Sequence, residues 1–221
     1  MTFSILARDP ESGAIGGAAA TGSLCVGGWV LRGDLEAGMS ASQGAAPSTF
    51  WGESVLADMR AGVNAAQAVE RVTAADSGRE YRQLAALDLV GQTSAFTGAS
   101  NEPVKGSRAF ESGIVSGNML TNSDVLDVMT HQFTSADGDF DLRLLATLRA
   151  AAQQGGDCRG LLSAALLVLH PGRPPLTLRI DHHPSDPVGA LVELHQKATS
   201  GAYARWAEQV PTSNDRERIL D

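Results

Sequence analysis

The residue at position 2 is the first feature of this sequence whose type and place could do chemistry. If Met1 is removed, Thr2 carries both a hydroxyl and a free α-amine. An α-amine has a reference pKa of about 7.7–8.0, so much of it is neutral near neutral pH. The amine could take the hydroxyl proton, directly or through water, while Oγ1 attacks a carbonyl carbon. The alternative is that Thr2 only begins a β-strand, as threonine often does.

Two adjacent histidines, His182 and His183, follow Asp181 and resemble metal ligands at first sight. Neighbouring residues on an extended strand point to opposite faces, so the two imidazoles would not reach one ion. The sequence also contains no His-Glu-x-x-His motif. We therefore predict no metal site and interpret these histidines as structural or surface residues.

Other residue groups argue against a cofactor. Cys25 and Cys158 are too few for a zinc cluster and do not suggest a disulfide scaffold. The glycine pairs at 16–17 and 27–28 are not followed by a helical pattern, so they do not match a phosphate-binding loop. No cofactor is predicted.

The composition is that of an ordinary globular chain with an acidic balance. Of 221 residues, 43% are hydrophobic and 19% charged, and 17 Lys and Arg against 25 Asp and Glu give a net charge of −8. Nucleic-acid binding needs clustered basic residues, so this balance argues against such a partner. No stretch approaches the roughly 20 apolar residues that cross a bilayer, and no secretion signal is visible. We expect a cytoplasmic protein without a membrane partner.

The hydrophobic pattern predicts groups of strands alternating with pairs of helices. The first two strands form a hairpin that turns at Asp9–Gly13, where proline presets φ and glycine supplies a positive φ. Further strands are predicted over 24–31, 35–42, 83–88, 93–97, 107–110, 113–116, 163–169 and 176–180. Helices are predicted over 50–61, 64–75, 123–133, 140–153 and 187–197. Consecutive helices favour antiparallel sheets with segregated helical layers, in one domain over residues 1–221.

Four segments, in this order, carry a resemblance to a known family. The chain opens with MTFSILARDPESGAIG, continues with SGNML and GGDCRGLLSAALLV, and then has LRIDHHPSDPV. Together these segments resemble the bacterial domain-of-unknown-function 1028 (DUF1028) family over essentially the whole chain. That family is assigned to the N-terminal-nucleophile (Ntn) hydrolase fold. The resemblance therefore implies an α+β fold, a four-layer αββα sandwich with two antiparallel sheets between helical layers.

A more distant resemblance to proteasome β subunits implies a chemistry. Those subunits share the Ntn fold and begin with a nucleophilic threonine. They also have glycine-containing turns before two of their helices and an aspartate just after the fourth helix. The corresponding positions here are Thr2, Gln43-Gly44-Ala45-Ala46, Gly117-Asn118 and Asp157.

The resemblance implies a role for the two turns. The backbone N–H of Gly44, beside that of the substrate-binding residue Gln43, would stabilise an oxyanion, which typically contributes about 10²–10³ in rate. Alternatively, Gly44 only permits a tight turn. Asn118 would donate from its amide or hold the substrate, although Gly-Asn pairs are also ordinary turn residues.

Asp157 and Arg159 belong to the segment GGDCRG, between a helix end and a buried strand. Asp157 would accept a hydrogen bond from the α-ammonium or the hydroxyl of Thr2 and orient it. Arg159 would bind a substrate carboxylate through its planar guanidinium group. The alternative is an Asp–Arg ion pair that only ties down the loop.

The chain departs from the proteasome pattern at two strands. Proteasome β subunits have an aspartate on the second strand and a lysine on the third, where this chain has Ala18–Ala20 and Val30–Arg32. Arg32 is a cation but cannot act as a base. The predicted function is therefore an amidohydrolase for a small non-peptide or modified-peptide amide.

Two other functions stay open. The protein could be a catalytically silent member of the fold that binds a small acidic metabolite, or it could be a structural subunit. A homo-oligomer is expected, because the Ala- and Gly-rich helices predicted over 50–61 and 64–75 could pack tightly against a second subunit.

Overall fold

The computed structural model describes residues 2–220, which contain ten β-strands and seven α-helices. The strands are β1 (Thr2–Arg8), β2 (Ile15–Thr21), β3 (Leu31–Asp34), β4 (Gly38–Gly44), β5 (Arg82–Asp88), β6 (Thr93–Thr97), β7 (Gly106–Phe110), β8 (Gly113–Asn118), β9 (Ser163–His170) and β10 (Arg173–Ile180). The helices are α1 (Val26–Trp29), α2 (Thr49–Arg60), α3 (Ala65–Ala74), α4 (Asp124–Ser135), α5 (Phe140–Gln153), α6 (Pro187–Ala198) and α7 (Gly201–Ala207).

The strands form two antiparallel sheets, as the order of elements predicts. The six-stranded sheet has the order β10-β9-β2-β1-β8-β7, and the four-stranded sheet has the order β3-β4-β5-β6. Strand β1 is central in the larger sheet and pairs antiparallel with β2 on one side and β8 on the other. The first described residue, Thr2, therefore has a strand on both sides.

Three clusters of buried apolar side chains fill the interior. One joins β1 to helices α4, α5 and α6, and includes Phe3, Met129, Leu144 and Leu191. A second joins the two sheets and includes Leu6, Met39 and Leu87. The third joins β5 to α2 and α3 and includes Val55, Val69 and Leu84. Successive residues of a strand point to opposite faces, so Phe3 and Leu6 of β1 enter different clusters.

Polar residues replace apolar ones at one end of the space between the sheets. Thr2 and Ser4 lie on the same face of β1 as Leu6, because they are separated from it by even numbers of residues. On β8, Ser116 and Asn118 lie on the same face as Ile114, which belongs to the cluster that joins the sheets. All four of these polar residues are buried. The interior is thus apolar at one end of β1 and polar at the end that begins with Thr2.

The strand predicted over residues 24–31 is wrong, because Val26–Trp29 forms the short helix α1. The first helical amide, Val26 N–H, donates to Ser163 Oγ of β9 at 3.1 Å. A Cβ at Gly27 would lie 2.7 Å from Ala165 Cβ, so this glycine lets the helical turn pack directly on β9. The apolar pattern of residues 24–31 predicts a strand, but contacts with β9, which is distant in the sequence, favour a helix.

The strand predicted over 35–42 is shifted, since β4 runs from Gly38 to Gly44. Asp34 makes the difference: its Oδ1 accepts from Glu36 N–H at 2.7 Å, and its carbonyl accepts from Ala37 N–H at 3.1 Å. These bonds form a turn where the strand was expected. Helix α7 was not predicted at all. None of the helices within residues 2–220 is long and apolar enough to cross a membrane.

Candidate functional site

The strand register brings three polar side chains together at the start of β1. Thr2 pairs directly with Asn118 of β8, and the pairing of Phe3 with Ala20 places Thr2 beside Thr21 of β2. The hydroxyls of Thr2 and Thr21 lie 3.3 Å apart. Directly paired residues have their side chains on the same face, with Cβ atoms about 4.5–5.5 Å apart. Thr2, Thr21 and Asn118 therefore form one buried polar group at the end of the sheet.

The amide of Asn118 is unusual because neither of its polar atoms has a hydrogen-bond partner, although the residue is 0% exposed. The hydroxyl of Ser116, on the same face of β8, is also without a partner. Five buried side-chain nitrogen or oxygen atoms in residues 2–220 lack a partner, and three of them belong to these two residues. Buried polar groups are normally satisfied, so this concentration on one strand needs an explanation.

Gln43, the last residue but one of β4, reaches across to β1. Its Oε1 accepts from Ser4 Oγ at 2.8 Å, and its Nε2 donates to the Thr2 carbonyl at 3.3 Å. The same Nε2 donates to Gln83 Oε1 at 2.7 Å. The side chain is 1% exposed. Gln43 thus binds the backbone of Thr2 from the opposite sheet.

Gln83, on β5, holds Gln43 in place and connects the two sheets. Its Nε2 lies within hydrogen-bond distance of Thr97 Oγ1, the Gly106 carbonyl and the Gly117 carbonyl, at 2.8, 3.1 and 3.0 Å. Its Oε1 accepts from Gln43. The amide is therefore fully used, and its orientation is determined by partners from β4, β6, β7 and β8.

The backbone at Gly44 requires glycine. Its φ is +131°, and a Cβ would lie 2.7 Å from the Tyr81 carbonyl oxygen and 2.9 Å from Asn101 Oδ1. Asn101 also accepts from Ala45 N–H at 2.9 Å, which fixes the turn that follows β4. This geometry agrees with the interpretation of Gly44 as a turn glycine. The role of its N–H as an oxyanion donor stays a prediction.

Asp157 and Arg159 form the ion pair that was one of the two interpretations of this loop. The side chain of Asp157 is 0% exposed, and its Oδ2 lies 3.2 Å from Arg159 Nη2. Oδ2 also accepts from Gly22 N–H at 2.6 Å, and Oδ1 accepts from Arg159 N–H at 2.9 Å. Because Gly22 follows Thr21, the carboxylate supports the loop beside the polar group at Thr2. Its orientation of the Thr2 amine or hydroxyl stays a prediction.

Arg159 lies on the outer side of this loop. Its side chain is 41% exposed, and Nη2 also donates to Ser23 Oγ at 3.3 Å. The guanidinium therefore has the buried Asp157 carboxylate on one side and solvent on the other. Its binding of a substrate carboxylate stays a prediction.

A second polar pair lies far from Thr2, at the opposite end of β1. His195 Nε2 and Asp141 Oδ2 are 2.6 Å apart on the side of a cleft of about 1750 Å³ that Arg8 and Phe140 also line. Burial raises the pKa of the Asp141 carboxyl, but the hydrogen bond and charge of His195 together with backbone hydrogen bonds, among them that from Leu142 N–H, lower it below its ordinary value. We interpret this pair as a structural contact between α5 and α6.

No set of three or more His, Cys, Asp or Glu side chains within residues 2–220 is placed to hold a metal ion.

Sequence reasoning found part of this site and missed part of it. Of the predicted residues, Thr2, Gln43 and Asn118 lie together, Gly44 is next to Gln43, and Asp157 and Arg159 lie one loop away. Three participants were missed, namely Thr21, Gln83 and Ser116. The register of the first hairpin could have indicated Thr21, since a turn at residues 9–13 can place it opposite Thr2. No local signal indicates the other two, because their partners lie on distant strands.

The sequence matches a known protein family over most of its length. The model of the "Family of unknown function (DUF1028)" matches residues 2–191. The chain belongs to the DUF1028 family. The resemblance inferred from its four segments is confirmed.

A solved structure from the DUF1028 family has the same fold. The crystal structure of a protein from Silicibacter pomeroyi is 66% identical, covers 100% of this chain and 99% of its own, and superposes with a TM-score of 0.97. Anbu (ancestral beta-subunit) from Yersinia bercovieri matches with 10% identity and a TM-score of 0.39, over 92% of this chain and 97% of its own. That likeness is too low to carry an argument. No curated protein matches this DUF1028 chain.

Proposed function

We propose that this DUF1028 protein is an N-terminal-nucleophile amidohydrolase that cleaves a small non-peptide or modified-peptide amide. The observation that carries the proposal is the buried Thr2 hydroxyl at the start of β1, 3.3 Å from the Thr21 hydroxyl and opposite the unpartnered amide of Asn118. Thr2 is the nucleophile once Met1 has been removed. Met1 lies outside the described residues, so its removal is part of the proposal.

The arrangement of the clusters supports an αββα order of layers. Helices α4, α5 and α6 share one cluster with the six-stranded sheet, the two sheets share the next, and α2 and α3 share the last with the four-stranded sheet. In such a sandwich, the first residue of a central strand lies at the end of the space between the sheets. A nucleophile there is buried on its flanks and reached from the strand ends.

The reaction uses one residue as nucleophile and base. The α-amine of Thr2 takes the proton of Oγ1 while Oγ1 bonds to the carbonyl carbon of the substrate. The C–N bond then breaks, the amine returns the proton to the leaving nitrogen, and an ester on Thr2 remains. Water, deprotonated by the same amine, hydrolyses the ester. The balance is one amide and one water converted to one carboxylic acid and one amine.

The surroundings support this chemistry. The side chains beside the start of β1 are Thr21, Gln43 and Asn118, and the Asp157 carboxylate on the adjoining loop is the proposed acceptor that orients the Thr2 amine or hydroxyl. In the tetrahedral intermediate, the Gly44 N–H and the Asn118 amide are the proposed donors to the oxyanion. Arg159 is the proposed contact for a carboxylate on the substrate, at the surface end of the site.

The first test is the state of the N-terminus. The intact mass of the purified protein is expected to be lower than that of the full sequence by one methionine residue. Protein that retains Met1 completely and still hydrolyses an amide would contradict the proposal, because Thr2 would then have no free amine.

The second test is the hydroxyl itself, measured as release of amine or ammonia from a panel of acylated amino acids and simple amides. Thr2→Ala should abolish turnover with little effect on the thermal unfolding temperature, whereas Thr2→Ser should keep part of it. The control is Thr177→Ala, which makes the same change at an exposed threonine of β10. Turnover by Thr2→Ala at the unmodified rate would remove Thr2 from the mechanism.

A further inference from the structure

The unpartnered amide of Asn118 differs from the other amides around it. Gln43 and Gln83 are also buried, and each uses both its carbonyl oxygen and its NH₂ group in hydrogen bonds. Asn118 uses neither, although both atoms are inaccessible to bulk solvent. A buried polar atom without a partner lowers the stability of the folded protein. An amide that bears this cost twice, next to the proposed nucleophile, is best explained by a ligand that supplies both partners.

The two atoms of one carboxamide define the kind of group that can pair with it. Oδ1 and Nδ2 lie side by side in a plane, so the partner must present a donor and an acceptor side by side as well. A primary carboxamide, a urea and a lactam do so, because each has an N–H on the same side as its carbonyl. A trans peptide bond directs its N–H and C=O to opposite sides and can satisfy only one of the two atoms. A carboxylate has no donor for Oδ1.

The position of Asn118 assigns this group to the reacting part of the substrate. Asn118 is the direct register partner of Thr2, so the two side chains start from Cβ atoms about 5 Å apart on one face of the sheet. Any group that pairs with the Asn118 amide therefore lies next to Thr2 Oγ1. Ser116, two residues earlier on the same face and about 7 Å away, has an unpartnered hydroxyl for a further polar atom of the same ligand.

We propose that Asn118 binds the scissile amide of the substrate through two hydrogen bonds, and thereby selects primary carboxamides, ureido compounds and cyclic amides over trans peptide bonds. This inference rests on the proposed function and specifies its substrate class. Asn118 Nδ2–H donates to the carbonyl that Thr2 attacks, and Oδ1 accepts from the syn N–H. With a primary carboxamide, Thr2 Oγ1 bonds to carbon, the C–N bond breaks, and ammonia leaves with the hydroxyl proton. Water then releases the carboxylic acid from Thr2.

The test uses two probes that differ by one group. Methylurea carries an NH₂ on the carbonyl carbon where N-methylacetamide carries a CH₃, so only methylurea has the syn N–H. Each is titrated by NMR into ¹⁵N-labelled Thr2→Ala protein, in which no turnover can occur. Methylurea should shift the signals at the ends of β1 and β8 and bind at least roughly tenfold more tightly, since it makes one more hydrogen bond and does not leave Oδ1 unpaired.

Variants at position 118 then link this preference to the amide. Asn118→Leu in the same background should abolish the preference, and Asn118→Asp, which keeps the shape but loses the donor, should weaken methylurea binding by about tenfold or more. The matched control is Asn214→Leu at an exposed asparagine, which should change nothing.

Three results would each overturn the inference. They are equal affinity for the two probes, unchanged methylurea binding in both Asn118 variants, and no binding of either probe up to its solubility limit, in which case the unpartnered atoms hold only buried water. Failure of the proposed function is recognised separately. Retained Met1 or absent turnover in the unmodified protein contradicts Thr2 catalysis, while the probe preference is measured in a protein without the nucleophile.

Discussion

Gln43 Nε2 donates to Gln83 Oε1 at 2.7 Å, from one strand of the four-stranded sheet to the next. Both glutamines also form hydrogen bonds to the six-stranded sheet, because Gln43 binds the Thr2 carbonyl and Gln83 binds the Gly117 carbonyl. These carbonyls belong to β1 and β8, the strands that carry Thr2 and Asn118. The two glutamines therefore set the positions of the two strand ends on which the candidate site depends.

Replacing Gln83 should destabilise the protein and disturb the site together. Gln83→Met keeps the volume but leaves Thr97, the Gly106 carbonyl and the Gly117 carbonyl without their donor. We expect the free energy of unfolding in urea to fall by about 2–4 kcal/mol, together with a lower rate of amide hydrolysis. The control Gln67→Met, at an exposed position of α3, should change stability by about 0.5 kcal/mol at most. Equal effects of the two variants would contradict this role.

Replacing Asn118 should have the opposite effect on stability. Asn118→Leu removes two buried polar atoms that have no partner and puts apolar atoms of similar volume in their place. The free energy of unfolding should rise by about 1–2 kcal/mol, while amide hydrolysis is lost. The measurement is urea unfolding of the unliganded protein beside a turnover assay. A large destabilisation would show that the Asn118 amide serves the fold and not a ligand.

The cost of a Cβ at Gly44, in the turn before α2, can be compared with the cost at Gly62, which follows α2. Both have a positive φ, +131° and +88°, but a Cβ at Gly44 would meet three atoms within 3 Å, and a Cβ at Gly62 would meet none within 4 Å. Gly62→Ala should therefore cost about 1 kcal/mol, from backbone strain alone. Gly44→Ala should cost several times more, because the backbone at Tyr81 and Arg82 must move as well. Thermal unfolding temperatures of the two variants compare these costs directly, and similar losses would count against the tight turn.

The pair formed by Asp141 and His195 predicts a specific dependence of stability on pH. The pKa of Asp141 is lower in the folded protein than its ordinary value of 3.8. A lowered carboxyl pKa stabilises the fold above the unfolded value, and this stabilisation is lost as the pH falls through the folded pKa. The difference in unfolding temperature between the unmodified protein and Asp141→Asn should therefore shrink as the pH falls below about 4.

The control for this titration is Asp137→Asn, which changes an exposed aspartate in the loop before α5. If the effect of Asp141→Asn does not shrink in acid, or shrinks no more than that of Asp137→Asn, the contact with His195 does not act through the carboxylate charge.

Features that depend on neighbours along the chain were predictable from the sequence. A helix was predicted from residue 64, and Asn64 caps the start of α3, since its Oδ1 accepts from Gln67 N–H at 2.9 Å. The turn at Asp9–Gly13 joins β1 to β2 as expected, with Gly13 at a φ of +72°. Such contacts span only a few residues, so residue type and spacing are enough to specify them.

Features that depend on contacts between distant segments were not predictable in this way. The apolar pattern over 24–31 was compatible with a strand, but Ser163 bonds to the first amide of α1 and Gly27 packs closely on β9. Gln83 reads as an ordinary polar residue at a strand end. Only the stacking of the two sheets shows that its amide contacts the Thr97 hydroxyl and the carbonyls of Gly106 and Gly117 on three other strands.

The sequence by itself predicted most of the elements in their order, the antiparallel sheets, the resemblance to the DUF1028 family and a first strand that opens at Thr2. Tertiary structure alone decided that Thr21 lies 3.3 Å from Thr2 and that Asn118, unlike the buried amides of Gln43, Gln83 and Asn101, is left without partners. The physical reason is the range of the interactions. Turns, caps and strand alternation are set by covalent neighbours, whereas hydrogen bonds across sheets depend on a register and a packing that no short segment encodes.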